Sequence, residues 1–405
     1  MSVLRGIAAV LIALGVAGAA QAGPMARWMY PVLDLDTLNR GLQGKVLDFT
    51  HNHGEDNRIW SDALGEKRDL YVYVPPGYDS RQAYPLIILF HGFLQDEAVT
   101  LRFADVFDRA IVSGALPPMI VAAPDGSIRG KPTTLNAGSF YVNSKAGRFE
   151  DFVMQDVWSF LHRRFCIRPE REAHGLVGGS MGGFAAYNLG IKYKDRIGVV
   201  AGIMPPLNLR YIDCHGRYFS KFDPECLGWR EHFRPFMPVA RFYIVFPVRE
   251  RRLTIPLYGH LVDAMDRVRL ENPAEMLGIY DVRPGELEMF VAYGGRDEFN
   301  IEAQAESFLY IARQRGLEVT SVYHPDAHHS VAAAKEFTPE LFCWLKPRLA
   351  PYAPASCVDP CGPNSSPGAS GADGPAVAPL CLAPKGHSPA IRAKGLRHWI
   401  QHWIH

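Results

Sequence analysis

The apolar run Gly175-Leu-Val177 leads directly into Gly178-Gly179-Ser180-Met181-Gly182-Gly183, and a largely apolar stretch follows. A buried strand must therefore reverse into a helix within a few residues, and Ser180 sits at the bend. Side chains beside so sharp a turn would clash, and Gly178 and Gly182 remove them. The residue at the bend is displayed at the carboxyl end of a strand, above a helix N-terminus whose free N–H groups favour negative charge. Few architectures other than a parallel sheet covered by helices accommodate this unit.

The surrounding sequence has the same period. Arg68 to Val74 alternates and ends at Pro75-Pro76-Gly77, while Pro85–Phe90 and Pro118–Ala123 are continuous apolar runs, as strands buried on both faces require. Between Arg148 and Phe165 the apolar residues Phe149, Phe152, Val153, Val157, Phe160 and Leu161 form a helical stripe. Val199–Ile203, Leu287–Ala292 and Leu317–Tyr323 read as further strands, with a helix over Ile301–Ala312 stopped by Gly316. The expectation is an α/β fold with a mainly parallel central sheet flanked by helices. Residues 205–286 are long, aromatic and irregular, and are read as an insertion or cap near the site.

The ends differ from this body. Residues 1–22 place Arg5 before an apolar stretch that closes on Ala20-Gln21-Ala22, the pattern of a cleaved export signal. A secreted or periplasmic protein with no stable membrane span after cleavage is expected. From Pro351 to Pro375, 14 of 25 residues are Pro, Gly or Ser, so 351–405 reads as a disordered tail and 23–350 as the folded domain. Export permits disulfides. Cys214 with Cys226, and Cys357 with Cys361, are placed to close local loops, whereas Cys166 and Cys343 fit equally well as core fillers. With 43 Lys+Arg against 42 Asp+Glu, nothing in the charge balance points to nucleic acid as a partner.

Serine is a weak nucleophile unless a base takes its proton and an acid fixes that base. In such folds the partners follow in the order Ser, Asp or Glu, His, on loops after later strands. After Leu287–Ala292 comes Tyr293-Gly-Gly-Arg-Asp297-Glu298, and after Leu317–Tyr323 comes His324-Pro-Asp-Ala-His328-His329. Asp297 is the expected acid, with Glu298 its neighbour and alternative. His328 is the expected base, ahead of His329 and His324. Oxyanion donors are expected from the N–H of Met181 and, in Phe90-His91-Gly92-Phe93, from the N–H of Phe93. His51-Asn-His53 with Asp56 lacks a third ligand at a recognised spacing, and no dinucleotide or phosphate loop is present, so no metal or cofactor is expected.

These residues resemble the Putative esterase family of α/β-hydrolases, which includes esterase D, feruloyl esterases and the antigen 85 mycolyltransferases. The matching stretches are Arg68–Tyr78, Leu89-Phe-His-Gly92, Ser139–Ser144, Gly147–Phe152, Gly178–Gly183, Asn272–Leu277 and the Asp297 and His328 loops. The resemblance covers roughly residues 40–350. It implies Ser180, Asp297 and His328 as nucleophile, acid and base, with Phe93 and Met181 as oxyanion donors. The chain departs in reading Asp326-Ala327-His328 where Gly-Gly-His is common, and in a longer 205–286 segment. The implied function is an exported serine carboxylesterase acting on a small-molecule, carbohydrate or lipid ester. An acyltransferase with an alcohol acceptor and a non-catalytic binding protein of the same fold are the alternatives, and no oligomeric state follows.

Overall fold

The computed structural model describes residues 33–130, 138–242, 246–259 and 264–356. The export signal at 1–22 and the tail from residue 357 onward, including Cys357 and Cys361, lie outside the described residues. Residues 351–356, assigned above to the tail, belong to the folded body: Ala355 and Ser356 pair antiparallel with Ala83 and Gln82.

Eight strands form the central sheet: β1 (Lys45–Phe49), β2 (Leu70–Val74), β3 (Leu86–Phe90), β4 (Ile120–Pro124), β5 (His174–Gly179), β6 (Val199–Ile203), β7 (Glu288–Gly294) and β8 (Thr320–His324). Their order across the sheet is β1-β2-β4-β3-β5-β6-β7-β8. β1 and β2 run antiparallel at one edge, and every pairing from β4 to β8 is parallel. The apolar runs occupy the middle, where helices cover both faces. Leu86, Ile87 and Ile88 are fully buried, and each such side chain contributes about 1.5–3 kcal/mol through removal from water.

The flanking helices are α1 (Leu101–Val112), α2 (149–164, including a widened turn over Phe152–Val157), α3 (Met181–Lys192), α4 (Ile301–Gln314) and α5 (Thr338–Leu349). β5 lies between β3 and β6, so the bend after it opens at the centre of the sheet. Parallel strands all end on the same side, which brings the loops after β3, β5, β7 and β8 to one rim.

The 205–286 segment has secondary structure of its own. It contains a hairpin of Tyr211–Asp213 with Leu227–Trp229 and a second of Pro238–Phe242 with Phe246–Arg249. Helices Glu250–Tyr258, Ala264–Leu270 and Pro273–Ile279 follow. Cys214 and Cys226 are disulfide-bonded across the first hairpin, a closure that contributes about 2–3 kcal/mol by restricting the unfolded chain. Cys166 and Cys343 are disulfide-bonded as well, not free thiols filling the core. Among the described residues no helix is long and apolar enough to cross a membrane.

Candidate active site

The bend after β5 carries the strain its glycines suggest. Ser180 has φ 54° and ψ −121° and caps α3, a left-handed region costly for a residue with a side chain. A Cβ on Gly178 would overlap the backbone of Gly182, and one on Gly182 would overlap the Phe90 carbonyl of β3. The serine is held by its own N–H, which donates to Ile203 O of β6 at 2.8 Å, while its carbonyl accepts from Phe184 N–H at 3.0 Å.

The histidine that reaches this serine is His329, not His328. His329 Nε2 lies 2.7 Å from Ser180 Oγ, and its Nδ1 lies 2.7 Å from Asp297 Oδ2. A carboxylate can only accept, so Nδ1 carries the proton and Nε2 is left to accept from the serine hydroxyl. Asp297 Oδ1 is held in turn by the Phe299 N–H at 2.8 Å. His328 instead turns outward and pairs with Glu298 Oε1 at 2.8 Å. His324 lies elsewhere, stacked on Phe337 and 3.3 Å from Glu340.

Packing of Ala327 explains the choice. Its carbonyl accepts from Arg296 N–H at 3.1 Å, and it presses so closely on Gly294 that any side chain there would overlap it. With Ala327 buried, the next residue faces out and the one after it faces in, so burial alternates through His328 and His329. Glu298 does not replace Asp297. Its second oxygen accepts from the His329 backbone N–H at 2.9 Å and so fixes the histidine loop. Burial disfavours the His329 imidazolium, but the Asp297 and Glu298 charges outweigh it and hold the pKa above the usual histidine value.

Phe93 and Met181 both line the cavity beside Ser180. Neither backbone N–H donates to a protein acceptor among the described residues. The loop carrying Phe93 is fixed by Gly92 N–H donating to Gln95 Oε1 at 2.8 Å. His91 stays out of the site, since Nδ1–H donates to Gly92 O at 2.9 Å and Nε2 accepts from Gly126 N–H at 2.8 Å. His51, His53 and Asp56 do not converge. They bond Asp69, the Tyr71 hydroxyl, and Arg58 with Lys67, respectively.

The cavity has a volume of about 120 Å³ for water-sized molecules and contains Ser180 and His329. Phe140, Phe184, Leu257 and Val268 give it apolar walls; Tyr218, Arg230, Glu250 and Gln304 also line it. Sequence reasoning missed Arg230, Glu250 and Gln304, because the first two sit within the irregular 205–286 segment and none of the three carries a motif. Tyr218 and Tyr258 from that segment reach the cavity, whereas Tyr211 and Trp229 pair within the first hairpin. Phe140 was also missed; it lies two residues after Gly138 and packs on Phe93 and Phe184.

Comparison with known proteins agrees with this architecture. An esterase of Mycobacterium tuberculosis is 27% identical over 173 residues, 41% of this chain and 36% of that protein. Endo-1,4-beta-xylanase Y of Acetivibrio thermocellus is 28% identical over 152 residues, 34% of this chain and 13% of that protein. The chain thus spans at most about a third of the length of these curated relatives. Among solved structures, a ferulic acid esterase superposes with a TM-score of 0.54 at 18% identity, covering 76% of this chain and 99% of its own. An S-formylglutathione hydrolase from Agrobacterium tumefaciens gives 0.55 at 17% identity, with 76% and 96% covered. These likenesses place the fold among the α/β-hydrolases. The family model described as Putative esterase matches residues 61–345. The chain belongs to that family.

Proposed function

We propose that the protein is an exported serine esterase that cleaves carboxylic esters through an acyl-enzyme. The observation that carries this reading is the unbroken chain from Ser180 Oγ through His329 to Asp297, at 2.7 Å for each link. In the first half-reaction Ser180 Oγ attacks the ester carbonyl carbon while His329 Nε2 takes its proton. Asp297 holds the imidazole in the required tautomer and stabilises the imidazolium. The N–H groups of Phe93 and Met181 receive the carbonyl oxygen as it becomes negative, helped by the N-terminus of α3. His329 then gives its proton to the departing alkoxide. In the second half-reaction water gives a proton to His329 as it attacks the acyl carbon, and His329 returns that proton to Ser180 Oγ as the C–Oγ bond breaks and the acid leaves.

Export rests on the sequence of residues 1–22 and is supported by disulfide bonds at Cys166, Cys214, Cys226 and Cys343, which belong to an oxidising compartment. The test of the reaction is turnover of p-nitrophenyl acetate and labelling by a fluorophosphonate. Both are expected of the native protein and absent from Ser180→Ala. Equal activity in that variant, or no labelling of the native protein, overturns the proposal. An added alcohol separates hydrolysis from acyl transfer by the products formed. N-terminal sequencing of exported protein should begin at Gly23.

A further inference from the structure

The cavity next to Ser180 is apolar on one side and carries unspent hydrogen-bonding capacity on the other. Arg230 and Glu250 form an ion pair there, with Nη1 3.2 Å from Oε1 and side chains only 5% and 3% exposed. The pair is incompletely satisfied. Arg230 Nε and Gln304 Oε1 are buried without a hydrogen-bond partner, and Glu250 Oε1 has only the 3.2 Å ion-pair contact. The remaining atoms are well held: Arg230 Nη2 donates to Leu209 O at 2.6 Å, Glu250 Oε2 accepts from Arg234 N–H at 2.9 Å, and Gln304 Nε2 donates to the Tyr218 hydroxyl at 2.9 Å. The three side chains are therefore fixed in place while Arg230 Nε and Gln304 Oε1 lack a bond and Glu250 Oε1 keeps only its contact with Arg230.

Burying an ion pair costs several kcal/mol per charge, and leaving its atoms unpaired adds to the cost. Burial lowers the Arg230 pKa and raises that of Glu250, the directions expected when both charges lack solvent. An apolar pair of similar size would give a wall suited to a plain alkyl chain at less cost. A cluster that keeps one free donor, one free acceptor and an ion-paired carboxylate oxygen with a lone pair to spare suits a ligand atom that both accepts and donates. A hydroxyl does both, whereas a carbonyl oxygen only accepts and an ammonium only donates.

We infer that Arg230, Glu250 and Gln304 form a specificity site for a hydroxyl group on the ester bound in the Ser180 cavity. The hydroxyl oxygen accepts from Arg230, its hydrogen is given to Glu250 or Gln304, and the rest of the substrate lies along Phe140, Phe184, Leu257 and Val268. This deepens the esterase proposal and rests on it. The hydroxyl belongs either to the acyl group or to the alcohol, and paired substrates distinguish the two. In p-nitrophenyl 6-hydroxyhexanoate and p-nitrophenyl heptanoate, a methyl replaces an acyl hydroxyl. In 2-hydroxyethyl hexanoate and propyl hexanoate, a methyl replaces a hydroxyl on the alcohol.

In at least one pair the native enzyme should favour the hydroxylated member by about 10–100-fold in kcat/KM, the range of a hydrogen bond to a charged group. In Glu250→Gln and, separately, Gln304→Leu, that ratio should fall several-fold. The ratio is read within each variant, so a general loss of activity or folded protein cancels, and Gln304→Leu serves if Glu250→Gln does not fold. Ratios near one in both pairs for the native enzyme, with turnover that Ser180→Ala abolishes, overturn the hydroxyl site and leave the esterase standing. A preference that survives both variants overturns the residue assignment. No turnover of any of the four esters overturns both readings together.

Discussion

Two consecutive histidines each meet a carboxylate from the same neighbouring loop, at nearly the same distance. His329 Nδ1 is 2.7 Å from Asp297, and His328 Nδ1 is 2.8 Å from Glu298. The pairs differ in surroundings. His329 and Asp297 side chains are 13% and 0% exposed, against 55% and 20% for His328 and Glu298. Water screens the outer pair, which is worth at most about 1 kcal/mol. The inner pair is desolvated, and its free nitrogen points at Ser180. A histidine–carboxylate pair is thus common chemistry, and position over the bend after β5 together with exclusion of water sets one of them apart.

The largest effect should come from removing the inner histidine. His329→Ala is expected to lower kcat/KM by about 10⁴-fold or more, as loss of a general base does in serine hydrolases. It also leaves Asp297 buried without its partner, which should cost roughly 3–5 kcal/mol of stability in urea unfolding. If His328→Ala lost as much activity and His329→Ala little, the comparison would be inverted. Asp297→Asn comes next, with a loss of about 10²–10⁴-fold at neutral pH, because the amide no longer fixes the tautomer.

A pH profile sharpens the contrast further. The proposed base, His329, can accept a proton only when neutral, and its pKa is raised, so the acid limb of kcat/KM should lie above the usual histidine value of about 6.5. Glu298→Gln removes one of the two charges that raise it, and the limb should move to lower pH. The sign for stability is opposite to that for activity. A pKa raised on folding contributes stability that is complete below the unfolded value and lost as pH rises through the folded one. Unfolding free energy should therefore decline slightly above pH 6.5 in the native protein, and His329→Ala should lack that decline. The smallest effect is expected of His328→Ala: activity within about threefold of native and stability within about 0.5 kcal/mol, by steady-state kinetics and urea titration.

The sheet was legible because its strands are local events. Pro85–Phe90, Pro118–Ala123 and Val199–Ile203 are apolar throughout, and burial on both faces demands that wherever they sit. β1 escaped notice because Lys45-Val-Leu-Asp-Phe49 is an edge strand with a mixed pattern. The Asp297 and histidine loops were found because each follows a strand whose end must face the same rim as Ser180. Cys166 and Cys343 stayed open between thiol and disulfide because an apolar neighbourhood does not distinguish a buried thiol from a buried disulfide.

What the sequence alone determined is the bend: glycines at 178 and 182 are needed by contacts within one strand, its neighbour and one helix, so their presence around Ser180 announces the turn. It also determined the chain order of the site's loops. Which of two adjacent histidines enters the site was decided by tertiary structure, through the seating of Ala327 against Gly294 and the Arg296 N–H. The polar wall of Arg230, Glu250 and Gln304 was decided there too, since residues so far apart in the chain have no shared period or spacing. A single residue's facing depends on what packs beside it, and that information is spread over the whole fold.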